Sequence, residues 1–281
     1  MAAKLRQILR LYALYGRMDW NFLMRDKRMG FVTFFCEWMY TISSVMGIAL
    51  LSVRFGGIGG LTTDEILWLL GFFMLADGAT YSLLGGFNVL HISRRVGRGQ
   101  VDHMLIQPVP LWMQLLTEGF MPFSGSSGFW AGVIVTVVTT VRLGMSVTPG
   151  WVLLLIGYII ARMAVAAGCS FIAGTAAFYK PVACEELSSV TLDALNAAGK
   201  YPLVALPDWL LGIFSTFIPV SLMAWLPGMA LLHKIHAPLA IAWPFAAGAG
   251  FLALAGLLFR KGLNHYAAHG CPRYKEMGHR C

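Results

Sequence analysis

Residues 66–89 read ILWLLGFFMLADGATYSLLGGFNV, 24 positions in which Asp77 is the only ionisable acid or base. A helix rises 1.5 Å per residue, so about 20 apolar positions cover the hydrocarbon core of a bilayer. A run of this length with one charge at its centre is a membrane span and fixes the fold class. Outward from it, comparable runs occupy 31–53, 128–143, 151–178, 209–231 and 238–259. The third is short, and 111–123 before it extends it through the interface. Pro219 and Pro227 interrupt the fifth, where a broken or re-entrant segment can form. The 281-residue chain is 58% hydrophobic and 12% charged, with mean hydropathy +0.69. Soluble domains carry about a quarter charged residues. Five cysteines without regular spacing give no disulfide framework, and no Gly-x-x-x-x-Gly-Lys-Ser/Thr phosphate loop occurs. These features exclude a soluble enzyme, a secreted disulfide scaffold and a self-contained ATPase. The expected fold is all-α and integral to the membrane: six spans, 31–260, in a single transmembrane domain, 1–281.

The net charge of +8 reports orientation here rather than nucleic-acid binding, because the basic residues lie between apolar runs. Seven Lys and Arg fall in 1–30, three in 93–110, two in 179–208 and five in 260–281; Arg54, Arg142 and Lys234 fall on the other side. Both termini are therefore expected in the cytoplasm. Residues 1–30 interleave Leu5, Ile8, Leu9 and Tyr12 with Lys4, Arg6 and Arg10, which predicts an interfacial helix rather than a signal peptide. The tail, 261–281, is expected to be cytoplasmic. Its His265, His269, Cys271, His279 and Cys281 match no common zinc spacing, and no metal site is expected.

The segment 92–110 is the most informative loop. Gly97 and Gly99 permit a reversal after the second span, and Asp102 suits an N-cap or the first turn of a short helix. Val101, Met104 and Leu105 form an apolar stripe, and Pro108 and Pro110 end the helix. A short amphipathic helix below the membrane suits docking into a partner's groove; the plainer alternative is a connecting loop that dips into the interface.

This loop resembles that of the type-2 ABC exporter permeases, whose pattern runs Ile-Arg-Arg-Gly-Glu-Leu-Asp-Arg-x-Leu-Leu-x-Pro-x-Pro. Val96, Arg98, Gly99, Val101, Asp102, Leu105, Ile106, Pro108 and Pro110 occupy matching positions, whereas Gly97, Gln100 and His103 replace the usual Arg, Glu and Arg. Tyr201-Pro-Leu, Trp209-Leu-Leu, Phe217-Ile-Pro219 and Pro227 are similar to the fifth-span region. The stretch 259–266, Phe-Arg-Lys-Gly-Leu-Asn-His-Tyr, looks like the closing Gly-Leu-Arg-Arg-Tyr signature. The resemblance implies a multi-pass subunit of a bacterial inner membrane, without catalytic residues, that exports a hydrophobic or amphiphilic, drug-like or lipid-like substrate. It implies a separate ATP-binding cassette subunit that holds ATP and Mg, a second permease copy (homodimer or related heterodimer) and no cofactor in this chain. The loop, with Arg94, Arg95, Arg98, Gly99, Asp102, Leu105 and Pro108, would be the coupling helix seated on the ATPase, and 1–30 the connecting helix. Membrane lipid, not nucleic acid, is the surrounding partner.

Glu37, Asp77 and Arg162 lie within spans, and Glu118 at the approach to the third. An ionised side chain at the bilayer centre costs about 3 kcal/mol on insertion scales, so these groups should face protein, water or each other. Arg162 is expected to pair with Asp77 or Glu118. The set reads either as structural ion pairing or as the polar lining of a substrate pathway. An ion-coupled secondary transporter using Asp77, Glu118 and Arg162 is the competing function; it leaves 92–110 without a role. Small residues at four-residue spacing, Ala166, Ser170 and Gly174 and then Ala242, Ala246 and Gly250, suit close helix packing.

Overall fold

The computed structural model describes residues 2–85 and 88–270, and among these it is helical with no strand. Helix α1 (Ala2–Arg25) meets α2 (Lys27–Phe55) at an elbow capped by Asp26, whose carboxylate accepts the N–H groups of Arg28 and Met29. A turn at Gly56, with φ 66°, closes α2. A capping box between Thr62 and Glu65 then opens α3 (Thr63–Leu84). Among the described residues four helices are long and apolar enough to cross a membrane: α2, α3, α8 (Pro149–Gly174, continued by a 3-10 turn to Phe178) and α12 (Pro238–His269). Helix α7 (Ser127–Arg142) is apolar but has only 16 residues. The stretch before it folds as a separate short helix, α6 (Leu111–Thr117), which does not lengthen it continuously.

Helix α3 is the buried centre. It packs on α7 with almost no side chain between them: a Cβ on Gly78 would land on the backbone of Gly128 and Phe129, and one on Gly132 on the backbone of Met74 and Leu75. Trp68 is fully buried on the same seam and donates to the Thr140 hydroxyl at 2.8 Å. The second close pair is α8 with α12, where Gly248 lies against the Ala161 carbonyl and Gly168 against Phe251. Ser170 of the first small-residue row donates instead to the Val89 carbonyl, and Gly174 lies against Ile92 and Ser188. In the second row, Ala242, Ala246 and Gly250 are exposed and face away from α8. There the four-residue spacing marks the wrong side of the helix, because Pro244, Ala247 and Gly248 make its buried face.

The fifth run is where the structure departs most from the sequence reading. Residues 209–231 form no continuous span; they split into α10 (Asp208–Thr216), a 3-10 turn (Val220–Leu222) and α11 (Trp225–Leu231). The Met223 carbonyl meets Arg162, half-way along α8, while the Leu231 carbonyl accepts from Trp151 at the start of α8. Trp243, near the start of α12, donates to the Ser215 carbonyl. The segment thus reaches half-way along α8 at Met223 and returns to the end from which it came, with Pro219, which has no N–H to give a helix, between α10 and the 3-10 turn. Conversely, 179–208 is not merely a connecting loop. It contains α9 (Leu187–Gly199), which starts beside Arg94 and Arg98, and Val204 beyond it touches Gly59 in the turn after α2. Lys200 consequently lies inside the helix assembly rather than among the loop charges.

Candidate functional site

A cavity of about 510 Å³ lies between α2, α3, α9 and the start of α7. Helix α2 contributes Glu37, Tyr40, Thr41 and Ser44; α3 contributes Phe73, Asp77 and Tyr81; α9 contributes Asp193, Asn196 and Lys200. Gly125, Ser127 and Gly128 form the remaining wall. Tyr40 is 74% exposed, so the cavity opens sideways between α2 and α9. Its volume is within the range of sites for small organic ligands.

Behind this wall Arg162 is 1% exposed, and every one of its five N–H donors is used. Nε donates to the Met223 carbonyl at 3.0 Å, one terminal nitrogen to the Ala76 carbonyl and the Thr80 hydroxyl at 2.9 and 2.8 Å, and the other to Asp77 and Asn196 at 2.6 and 3.0 Å. Its guanidinium carbon lies 5.3 Å from the centre of the Phe73 ring. A buried guanidinium persists in an apolar interior because its charge is paired and its donors are satisfied. One residue of α8 thereby ties α3, α9 and the turn of the re-entrant hairpin together, and Asp77 and Asn196 present their other sides to the cavity.

Of the four intramembrane candidates, the structure brings Glu37, Asp77 and Arg162 to this region and leaves Glu118 out. Glu118 accepts from Asn88 at 2.8 Å and pairs with Arg95 at 3.3 Å, next to the loop 92–110. The Asp77–Glu118–Arg162 set of the secondary-transporter reading is therefore not one constellation.

The loop itself folds as α4 (Ile92–Gly97) and α5 (Val101–Leu105), reversed at Gly99 with φ 68°. It is bolted to the base of α9. Arg94 donates through Nε to Glu186 at 2.8 Å and Arg98 to Glu185 at 2.7 Å, while the Ser93 hydroxyl donates to the Glu185 carbonyl and accepts from the Ser188 N–H. The Arg94 guanidinium holds the Glu186 carboxyl below the usual carboxylate range, and Glu186 raises Arg94 in return. Burial, with Arg94 alongside, pushes the His91 imidazole down. On the other flank Gln114 holds the Met104 and Val109 carbonyls.

The apolar stripe of the loop does not all face outwards, as docking would require. Val101 and Met104 are 1% and 3% exposed and pack inwards with Ile92, Val96, Leu115, Phe178 and Tyr266. In so short a helix, positions i and i+3 fall on the side that the protein's own small core covers. The outer face is Asp102, His103, Leu105, Ile106 and Pro108, with Ile106 82% exposed. Asp102 lies in the first turn but is not the cap; that position is Gln100, whose side chain makes no capping bond.

Several residues that position these sites carry weak signals in the sequence. Thr80 is an isolated polar residue in an apolar run, and Asn196 is one of several polar residues of α9 that nothing in the sequence sets apart. Asp19 receives the N–H groups of Phe123 and Ser124 and the Ser124 hydroxyl, fixing α1 to the segment before α7. Tyr12 on Phe120 and Trp20 on Phe123 complete that contact. Their partners lie about a hundred residues away, and no local spacing reveals them. Among the described residues no group of histidine, cysteine and acidic side chains is arranged to hold a metal; Cys271, His279 and Cys281 lie outside the described residues.

A family model described as ABC-2 family transporter protein matches residues 38–270. No curated protein and no solved structure matches the chain.

Proposed function

The chain belongs to the ABC-2 transporter family, and from that premise we propose that it is the permease subunit of an ATP-driven exporter. A member of this family is a multi-pass membrane subunit that works with an ATPase. In this reading ATP and Mg bind to the partner, and this chain contributes no catalytic residue. The chain crosses a bacterial inner membrane six times, through α2, α3, α7, α8, α9 with its extension to Val204, and α12. The hairpin formed by α10 and α11 is re-entrant, and both termini are cytoplasmic. A second permease copy, identical or related, completes the pathway. The cavity between α2, α3 and α9 is the chamber for a hydrophobic or amphiphilic substrate.

The observation that carries this reading is the loop 92–110. Three polar side chains, Ser93, Arg94 and Arg98, fix it to the base of α9 and Gln114 of α6 holds its other flank, yet it leaves Leu105 and Ile106 uncovered at its tip. A loop held that firmly, with Leu105 and Ile106 bare beside Asp102 and His103, has the form of a surface made to receive force from a partner. Any bias between two conformations needs such direct, state-dependent contact.

The test is purification of the tagged chain from its native membrane in a gentle detergent, with co-purifying proteins identified by mass spectrometry. A stoichiometric nucleotide-binding subunit is expected, and Leu105→Asp should release it while the chain still inserts. Purification without any ATPase, with substrate still moved in liposomes, would overturn the proposal.

A further inference from the structure

Glu37 and Asp193 line the cavity, and neither has a basic side chain within ion-pair reach among the described residues. Asp77, the third carboxylate of the wall, is already matched by Arg162. Lys200 lies seven residues beyond Asp193 on α9, about 10 Å further along the axis. The cavity thus has an acidic half, at the level of Glu37, Asp77 and Asp193, and one cation at the other end. The rings of Tyr40, Phe73 and Tyr81 stand in its walls, and aromatic faces and carboxylates favour the same kind of guest, a positive charge on an apolar body. An anionic guest would find only Lys200 to match it, at the far end of the cavity, and acidic side chains at the other.

From this arrangement we propose that the cavity binds an organic cation: an ammonium-type charge lodged between Glu37 and Asp193, with its apolar part along Tyr40, Phe73 and Tyr81. The inference rests on the cavity as the substrate chamber and names its chemical class. The same chemistry is offered by a soluble amphiphilic cation and by a lipid with an amine headgroup.

Tetraphenylphosphonium and tetraphenylborate have the same shape and opposite charge, so the difference between them isolates the sign. Equilibrium dialysis against the full chain in dodecyl maltoside micelles, with empty micelles subtracted, should show the cation held about tenfold more tightly. Glu37→Gln with Asp193→Asn, near-isosteric changes at a half-buried and an exposed position, should abolish that preference without lowering the thermal midpoint. Lys200→Gln should strengthen it. Tetraphenylborate binding as tightly as the cation, or a preference untouched by the double substitution, would overturn the proposal. The source of the cation follows from lipid analysis of the purified chain. An amine lipid that co-purifies, and that tetraphenylphosphonium displaces, identifies the lipid; binding of the phosphonium with no lipid to displace identifies a soluble guest. None of these readings needs the ATPase, so they fail or succeed separately from the permease assignment.

Discussion

Arg162 is the residue on which the interior most depends. Removing a buried charge's partner costs about 3–5 kcal/mol because the other charge is left uncompensated. Arg162→Met, which fills similar space but strands Asp77 and the Met223 carbonyl, should therefore lower the thermal unfolding midpoint sharply, as read by fluorescence in detergent. The double substitution Arg162→Met with Asp77→Asn should recover part of that loss. Arg162→Lys keeps the charge but has three donors for five acceptors, and it should fall between the two. An unchanged midpoint in Arg162→Met would show that the pair contributes nothing to stability. That Asp77, Glu37 and Arg162 needed a polar environment was legible in the sequence, since a lone charge in an apolar run has no other solution. Arg162's other partners were not, because a carbonyl freed at the bottom of a re-entrant turn is a product of tertiary packing.

At the scale of the elements, the loop 92–110 and the base of α9 form one unit that pH should loosen. The Glu186 carboxyl is depressed by Arg94, so its contribution is present above the ordinary carboxylate range and is lost as pH falls through its folded value. His91 is depressed by burial; the unfolded imidazole takes its proton first, and stability falls as pH drops below the ordinary imidazole range. Both signs agree. Hydrogen-exchange protection at residues 91–98 and 185–189, corrected for the intrinsic rate at each pH, should fall at pH 5.5 relative to pH 7.5 through His91, and His91→Gln should reduce the change; the loss through Glu186 follows only below the ordinary carboxylate range. The Asp26 cap is a separate, smaller test: Asp26→Ala should cost about 1 kcal/mol, visible as a lower midpoint. The sequence made most of these elements readable. Hydropathy located α2, α3, α8 and α12, and the glycines and prolines bounded the loop. It did not single out α9, which with Ser188, Thr191, Asp193 and Asn196 is too polar to register as a span, whereas 209–231, free of charged residues, registers as one although it is broken into α10 and α11. A window of hydropathy measures what lipid or a neighbouring copy touches; a helix whose polar side faces a cavity escapes it.

For the molecule as a whole, the contact between α3 and α7 decides how it can move. Side chains between helices can change rotamer and let one helix slide on the other, but here the two backbones touch at Gly78 and Gly132, with nothing between them to rearrange. Gly78→Leu should therefore abolish folding rather than alter it, with no monodisperse peak on size-exclusion chromatography, while the same change at Gly250, where a side chain meets open space, should leave the peak intact. The stiffness has a mechanical meaning. The two interlocked helices therefore behave as a single rigid plank: a displacement applied to either has no seam between them in which to dissipate, and it reappears along the whole pair, as a tilt of the wall that Phe73, Asp77, Tyr81 and Ser127 give to the cavity.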